Sequence, residues 1–222
     1  MAAYGFHPDN PQPLTEDVPA RGSDSFYYSA QKAELEDLLD ELLLGSGVEA
    51  YVFRPCIVAG PQATMLIEQT VGAVRAVDPV PLLRRGVEKL PLVSPVLPDP
   101  GVPVQLVHHD DVARAMAAAI GGDGPAGVYN LAGSGEVRVA DIARELGWRS
   151  VSVPRPAVGI GTAAARRLSF ASSKLEWASA AETPVLMDAA KARRDLGWKP
   201  RFDAAETLRQ SVAGARRKGL LD

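Results

Sequence analysis

Leu35, Leu38, Leu39, Leu42 and Leu43 recur at separations of 3, 4, 7 and 8 from the first of them, which collects them on one face of a helix. The pattern predicts a helix from about Phe26 to Leu44, capped by Ser23, Asp24 or Ser25 and stopped by Gly45-Ser46-Gly47. Glu49-Ala50-Tyr51-Val52-Phe53-Arg54 follows as a short strand of aromatic and β-branched residues that ends at Pro55. Before the helix, Pro8, Pro11, Pro13 and Pro19, mixed with Gly5, Asp9, Asn10 and Gly22, make the first 24 residues a loop. After the strand, a second helix is expected from Gln62 to about Ala76, and the prolines from Pro79 to Pro103 then break the chain into loops and short strands. Val104 to Val107 reads as a strand, Asp110 or Asp111 as the cap of a helix through Ile120, and Val128 to Leu131 as another strand. A helix from Val139 to Leu146, a strand from Ser150 to Val153, and helices near Asp188 to Leu196 and Asp203 to Arg217 complete the reading, with Pro156 to Ala180 ambiguous. Helix followed by strand recurs along the chain, which points to an α/β fold.

Composition narrows the function classes. The 222 residues carry 46% hydrophobic and 23% charged side chains, enough to bury a core and too apolar for general disorder. With 24 Lys and Arg against 27 Asp and Glu and no long basic run, the charge that holds a nucleic-acid backbone is missing, so no nucleic-acid partner is expected. The one cysteine, Cys56, has no internal disulfide partner, and with His7, His108 and His109 it does not make a zinc cage, so no metal is expected. No apolar run approaches a membrane span, and Met1 to Pro13 lacks the basic and apolar regions of a signal peptide. The expectation is a cytoplasmic protein with no membrane partner.

The sharpest candidate for chemistry is Tyr28-Ser29-Ala30-Gln31-Lys32, because a Tyr and a Lys four apart on a helix share one face. A phenol is a poor acid or base at neutral pH. An adjacent ammonium stabilises the phenolate, so such a pair can move a proton to or from an alcohol or carbonyl oxygen. Alone, the pattern is common on surface helices.

Four further segments surround it in order: Ala2-Ala3-Tyr4-Gly5, Phe53-Arg54-Pro55 with Gly60-Pro61, Val107-His108-His109-Asp110-Asp111-Val112-Ala113, and Lys191 to Asp195 running into Leu196-Gly197-Trp198-Lys199-Pro200. With these the chain resembles the extended short-chain dehydrogenase/reductase superfamily, in particular its NAD-dependent epimerase/dehydratase family. The resemblance covers essentially the whole chain. It implies the C-terminal portion of a Rossmann-like doubly wound parallel sheet plus a small mixed α/β substrate-binding region. The implied division is residues 1–63 as the remainder of the NAD(P)-binding domain, 64–107 as a substrate-binding insertion, 108–132 as a helix and strand returning to the sheet, and 133–222 as a C-terminal substrate-binding region.

Carried over by residue, the resemblance makes Tyr28 the general acid/base and Lys32 the group that activates it and hydrogen-bonds the nicotinamide ribose. Pro55 and the backbone of Cys56 would lie beside the nicotinamide ring, at the carboxyl end of a strand where open α/β sheets bind ligands. The cofactor is NAD or NADP, the partners a small-molecule substrate and, as a possible homodimer, a second copy of the chain through the Tyr28 helix. Arg54 is expected to be structural, as is His108, and Cys56 to be a small buried hydrophobe rather than a nucleophile. Members normally begin with a strand and a Gly-rich turn for the cofactor pyrophosphate. None of that precedes Met1, and the family's catalytic Ser or Thr would fall just before it. The expectation is therefore an N-terminally truncated member, whose strand near Tyr51 has an open edge and whose Leu face lacks its sheet. Gly159-Ile160-Gly161-Thr162-Ala163-Ala164 reads instead as a loop entering a helix.

Two departures bear on substrate. Nucleotide-sugar members commonly carry Asn two residues after the Pro and Arg four residues before the His, where this chain has Ile57 and Val104. Losing an amide and a guanidinium removes charge-assisted contacts that a diphosphate needs, so the reading is an oxidoreductase or epimerase-like enzyme acting on a carbonyl or hydroxyl compound other than a nucleotide sugar. The alternatives are a non-catalytic dinucleotide-binding or interaction domain and an inactive fragment of the full enzyme.

Overall fold

The computed structural model describes residues 1–24, 26–77, 95–154 and 183–221. Ser25, Pro79 to Pro91 and the whole ambiguous stretch from Pro156 to Ala180, Gly159 to Ala164 included, lie outside the described residues. Among them, helices and strands alternate as expected: α1 (Tyr27–Leu43), β1 (Tyr51–Pro55), β2 (Ile57–Ala59), α2 (Met65–Val77), β3 (Val96–Asp99), β4 (Leu106–His108), α3 (His109–Ile120), β5 (Gly127–Leu131), α4 (Val139–Leu146), β6 (Arg149–Ser152), α5 (Ala190–Asp195) and α6 (Ala204–Arg217). The fold is mixed α/β, with its named strands paired in parallel.

β1 pairs with β5 in register from Tyr51 opposite Gly127 to Pro55 opposite Leu131. β2 pairs with β4 from Ile57 opposite Leu106 to Ala59 opposite His108, and β3 with β6 from Val96 opposite Arg149 to Asp99 opposite Ser152. Parallel neighbours need a crossover, and the helices between the strands provide it. Cys56 is the joint between the first two pairs: its N–H donates to Leu131 O at 2.9 Å, continuing the β1 ladder, before the chain enters β2.

The core has two parts, divided by β4. Leu106 packs with Ile67, Val71, Val137, Ile142, Leu208 and Val212, whereas Val107, one residue on, packs with Tyr4, Leu14, Tyr129, Leu131, Met187 and Trp198. Successive strand residues point to opposite faces, so one short strand feeds both clusters.

Several local expectations differ. The N-cap of α1 is Phe26 and no side chain caps it; Ser23 Oγ is occupied by the N–H of Phe6 at 2.8 Å. The cap of α3 is His108, whose Nδ1 accepts from the Asp110 N–H at 3.2 Å, so neither Asp110 nor Asp111 fills that place. The expected strand at 104–107 begins later, because Val104 forms an antiparallel bridge with Val137 instead. The first 24 residues hold a short 3₁₀ turn (Ala2–Tyr4) and a parallel bridge from Leu14 to Met187, and Tyr4 and Leu14 are buried. Leu35, Leu38 and Leu42 of α1 are 53%, 50% and 68% exposed. Among the described residues, no helix is long and apolar enough to cross a membrane.

Candidate active site

α1 brings Tyr28 and Lys32 onto successive turns, with Lys32 Nζ 5.5 Å from the centroid of the Tyr28 ring. Tyr28 is 44% exposed, and both side chains border a shallow hollow of about 280 Å³ along α1, whose lining among the described residues, with Gln31, Glu34, Leu35 and Leu38, comes from that one helix and includes neither Pro55 nor Cys56. The neighbouring Tyr27 is engaged differently: its hydroxyl accepts from Gln31 Nε2 at 2.8 Å. An ammonium beside an accessible phenol on an exposed helix face is an arrangement that can exchange a proton with a bound oxygen.

The amino-terminal turn fixes α1. Ser29 Oγ donates to Ala2 O at 2.6 Å, and Gly22, at φ 63°, lets the chain pass so close that a Cβ there would meet Ala30 Cα at 3.0 Å. The same turn reaches the end of β1, because the backbone nitrogen of Met1 donates to Pro55 O at 2.8 Å. Residues 1–4 thus join the two candidate pairs, Tyr28 with Lys32 on α1 and Pro55 with Cys56 at the carboxyl end of β1. Cys56 is 5% exposed, and burial pushes its thiol up to about 12, which leaves it a packing residue with no thiolate at neutral pH.

Arg54 is structural in a specific way. Its Nε lies 3.1 and 2.9 Å from Glu36 Oε1 and Oε2, and its Nη2 2.5 Å from Oε2. The guanidinium also stacks over the Tyr4 ring at 4.5 Å. Tyr4 donates from its hydroxyl to Asn130 Oδ1 of β5 at 2.7 Å, and burial holds its phenol above the usual range. Sequence reasoning passed over Glu36, although it follows Tyr28 and Lys32 at the same spacing of four.

His108 is buried, with Nε2 3.2 Å from Gln210 Oε1 and its ring between His109 at 4.4 Å and Phe202 at 4.0 Å. Burial, with His109 adding to it, holds its pKa below the ordinary imidazole value. His108, His109 and Asp110 bring ligand atoms within 4.8 Å of one another. The two rings are tilted by 30° to each other, and His109 Nδ1 lies 3.0 Å from Asp110 Oδ1, so the groups of this cluster engage one another. Asp111 is buried within the fold: its carboxylate accepts from the N–H groups of Arg201 at 2.9 Å and Phe202 at 3.2 Å and pairs with Arg114, while its carbonyl accepts from Trp198 Nε1 at 2.8 Å. It receives the Gly197-Trp198-Lys199-Pro200 turn and belongs to the scaffold, not the site.

The sequence model of the NAD dependent epimerase/dehydratase family matches residues 2–132. No curated protein matches the sequence significantly. Among solved structures, the fold superposes on the crystal structure of gox2253 with a TM-score of 0.65 at 21% identity, covering 100% of this chain and 65% of that one. It superposes on a UDP-galactose 4-epimerase with a TM-score of 0.64 at 18% identity, covering 98% and 61%. For the Bordetella bronchiseptica enzyme WbmG, in complex with NAD and UDP, the values are 0.63 and 18%, covering 100% and 58%. The chain spans 58 to 65% of the length of these structures. At such identities the likeness establishes the fold alone.

Proposed function

The chain belongs to the NAD-dependent epimerase/dehydratase family, and from that premise we propose that it is an NAD- or NADP-dependent oxidoreductase or epimerase-like enzyme in which Tyr28 and Lys32 carry the proton transfer. The observation that carries the reading is the placement of Lys32 Nζ 5.5 Å from the Tyr28 ring on an exposed face of α1. Bound nicotinamide supplies hydride chemistry at the carbon. Tyr28 Oη donates a proton to the carbonyl oxygen, or takes one from the alcohol in the reverse direction, and Lys32 Nζ favours the phenolate that this leaves. Lys32 would also hold the nicotinamide ribose, and Pro55 and Cys56 the face of the ring. It is the backbone of Cys56 that would lie beside the ring, since its side chain is buried in the core.

The substrate in this reading is a small carbonyl or hydroxyl compound and not a nucleotide sugar. Ile57 and Val104 both pack against the apolar cluster of Ile67, Leu106 and Val137, where a diphosphate would find no charge-assisted contact. The division at residues 63, 107 and 132, a cytoplasmic location and a homodimer formed through α1 belong to the same proposal. The test is cofactor-linked turnover of small aldehydes, ketones and their alcohols, compared with nucleotide sugars. Tyr28→Phe is expected to lower kcat by roughly 100- to 10,000-fold, the span of general acid-base catalysis, with cofactor affinity nearly intact. Unchanged turnover in that variant overturns the reading.

A further inference from the structure

We infer that Arg54 is a positioning residue, which through its ion pair with Glu36 sets the rotation of α1 about its axis and so the aim of Tyr28 and Lys32 toward the end of β1. This rests on the proton-transfer reading of Tyr28. Tyr28, Lys32 and Glu36 follow one another at a spacing of four, and each step of four turns about 40° past a full revolution, so the three make one slowly winding stripe. The far end of that stripe is tied down. The Arg54 and Glu36 side chains are only 8% and 18% exposed, and the guanidinium grips the carboxylate through both Nε and Nη2. A planar fork on a carboxylate fixes orientation as well as distance.

The other end of the tie is equally fixed. Arg54 lies in β1 immediately before Pro55 and opposite Asn130 of β5. Its Nη1 donates to Val18 O at 3.3 Å, and its plane rests on Tyr4, which is itself held by Asn130. The guanidinium is therefore anchored to the strand that carries Pro55 and Cys56 and reaches across to the helix that carries Tyr28. On α1, Ser29 and Ala33 are the buried residues, and Ser29 Oγ on Ala2 O anchors the first turn. Glu36 is the second anchor, about two turns further on. The packing of Gly22 against Ala30 and Ala33 and the Ser29 bond hold the first two turns, and the ion pair at Glu36 extends the hold one turn further, to the stripe that carries Tyr28 and Lys32.

Stability alone does not account for the pair, because burying two charges costs nearly as much as their attraction returns. Its value lies in geometry. A roll of about 10° moves an atom about 6 Å from the helix axis by about 1 Å, and a misplacement of that size costs roughly 100-fold in rate.

The experiment uses the full chain labelled with 3-fluorotyrosine, in which the Tyr28 fluorine resonance is assigned among the five tyrosines by its loss in Tyr28→Phe. Glu36→Gln, which keeps shape and removes charge, and Arg54→Lys, which keeps charge and removes the fork, are both expected to shift that resonance. Leu208→Ala, a destabilising change in the other core cluster, is expected to leave it in place. In turnover, both Arg54 and Glu36 variants are expected to lose about 10- to 100-fold in kcat with KM for the nicotinamide within about twofold. Should Glu36→Gln fail to fold, Glu36→Asp, which withdraws the charge by one methylene, carries the same expectation. A Tyr28 resonance that stays put in the Glu36 and Arg54 variants overturns the inference, as does an unchanged kcat in variants of a protein that Tyr28→Phe inactivates. If Tyr28→Phe leaves turnover intact, the proton-transfer reading falls, and the resonance alone decides whether the pair sets the helix.

Discussion

His108 joins more of the scaffold than its place in the sequence suggests: it caps α3, meets Gln210 of α6 and stacks on Phe202. Its charged form is disfavoured by burial, by His109 and by Arg114, and favoured by Asp110 and Gln210, with the lowering effects ahead. The unfolded chain keeps an ordinary imidazole, with a pKa of about 6.5. Below that pH the unfolded state takes up a proton that the folded state refuses, so the stability present above about pH 6.5 is lost as pH falls toward the depressed folded value. The thermal midpoint is expected to drop between about pH 7.5 and pH 5.5, and to drop less in His108→Asn, where an amide keeps the cap acceptor without titrating. Equal drops in the two proteins would refute this. The role of Asp111 was illegible for a related reason. Local spacing marks it as a helix cap, whereas its partners stand 87 to 91 residues away, and nothing in a window of one helix reports them.

At the scale of elements, periodicity and turn chemistry located most of the chain. α4 runs from Val139 to Leu146 as the pattern indicates, with Gly147 in the left-handed region at its end, and Asp203 caps α6 as its type suggests. The exposure of the α1 leucines did not follow from periodicity, because a 3,4 repeat marks a face without naming what covers it. Close approach was hidden too. Gly214 lies buried in α6 where the helix crosses the Gly60-Pro61 turn, and a Cβ there would fall 2.3 Å from Pro61 O. Helix propensity alone makes Gly214→Ala stabilising by about 1 kcal/mol. The contact with Pro61 backbone reverses the sign, and a loss of about 1–3 kcal/mol is expected from overpacking, measured by urea unfolding. A gain would show that α6 stands further from the turn than the structure places it.

Across the whole molecule, β1 with β5 and β2 with β4 form one structural unit joined at Cys56, and α1 docks on it through residues 1–4 and Arg54. The shared helix face of Tyr28 and Lys32 was legible from spacing, and the family from motifs in order. Their connection to Pro55 and Cys56 was not, since it runs through the amino-terminal turn and through a carboxylate, Glu36, that reads as one acid among several on α1. The central claim is that Lys32 and the end of β1 hold a nicotinamide cofactor within reach of Tyr28. Titration of the full chain with NADH and with NADPH, followed by nicotinamide fluorescence, tests it most directly. Saturable binding of one of them is predicted, weakened about tenfold or more in Lys32→Ala, as the loss of a charge-assisted hydrogen bond requires. Binding of neither, or equal binding by the Lys32→Ala variant, would contradict the account.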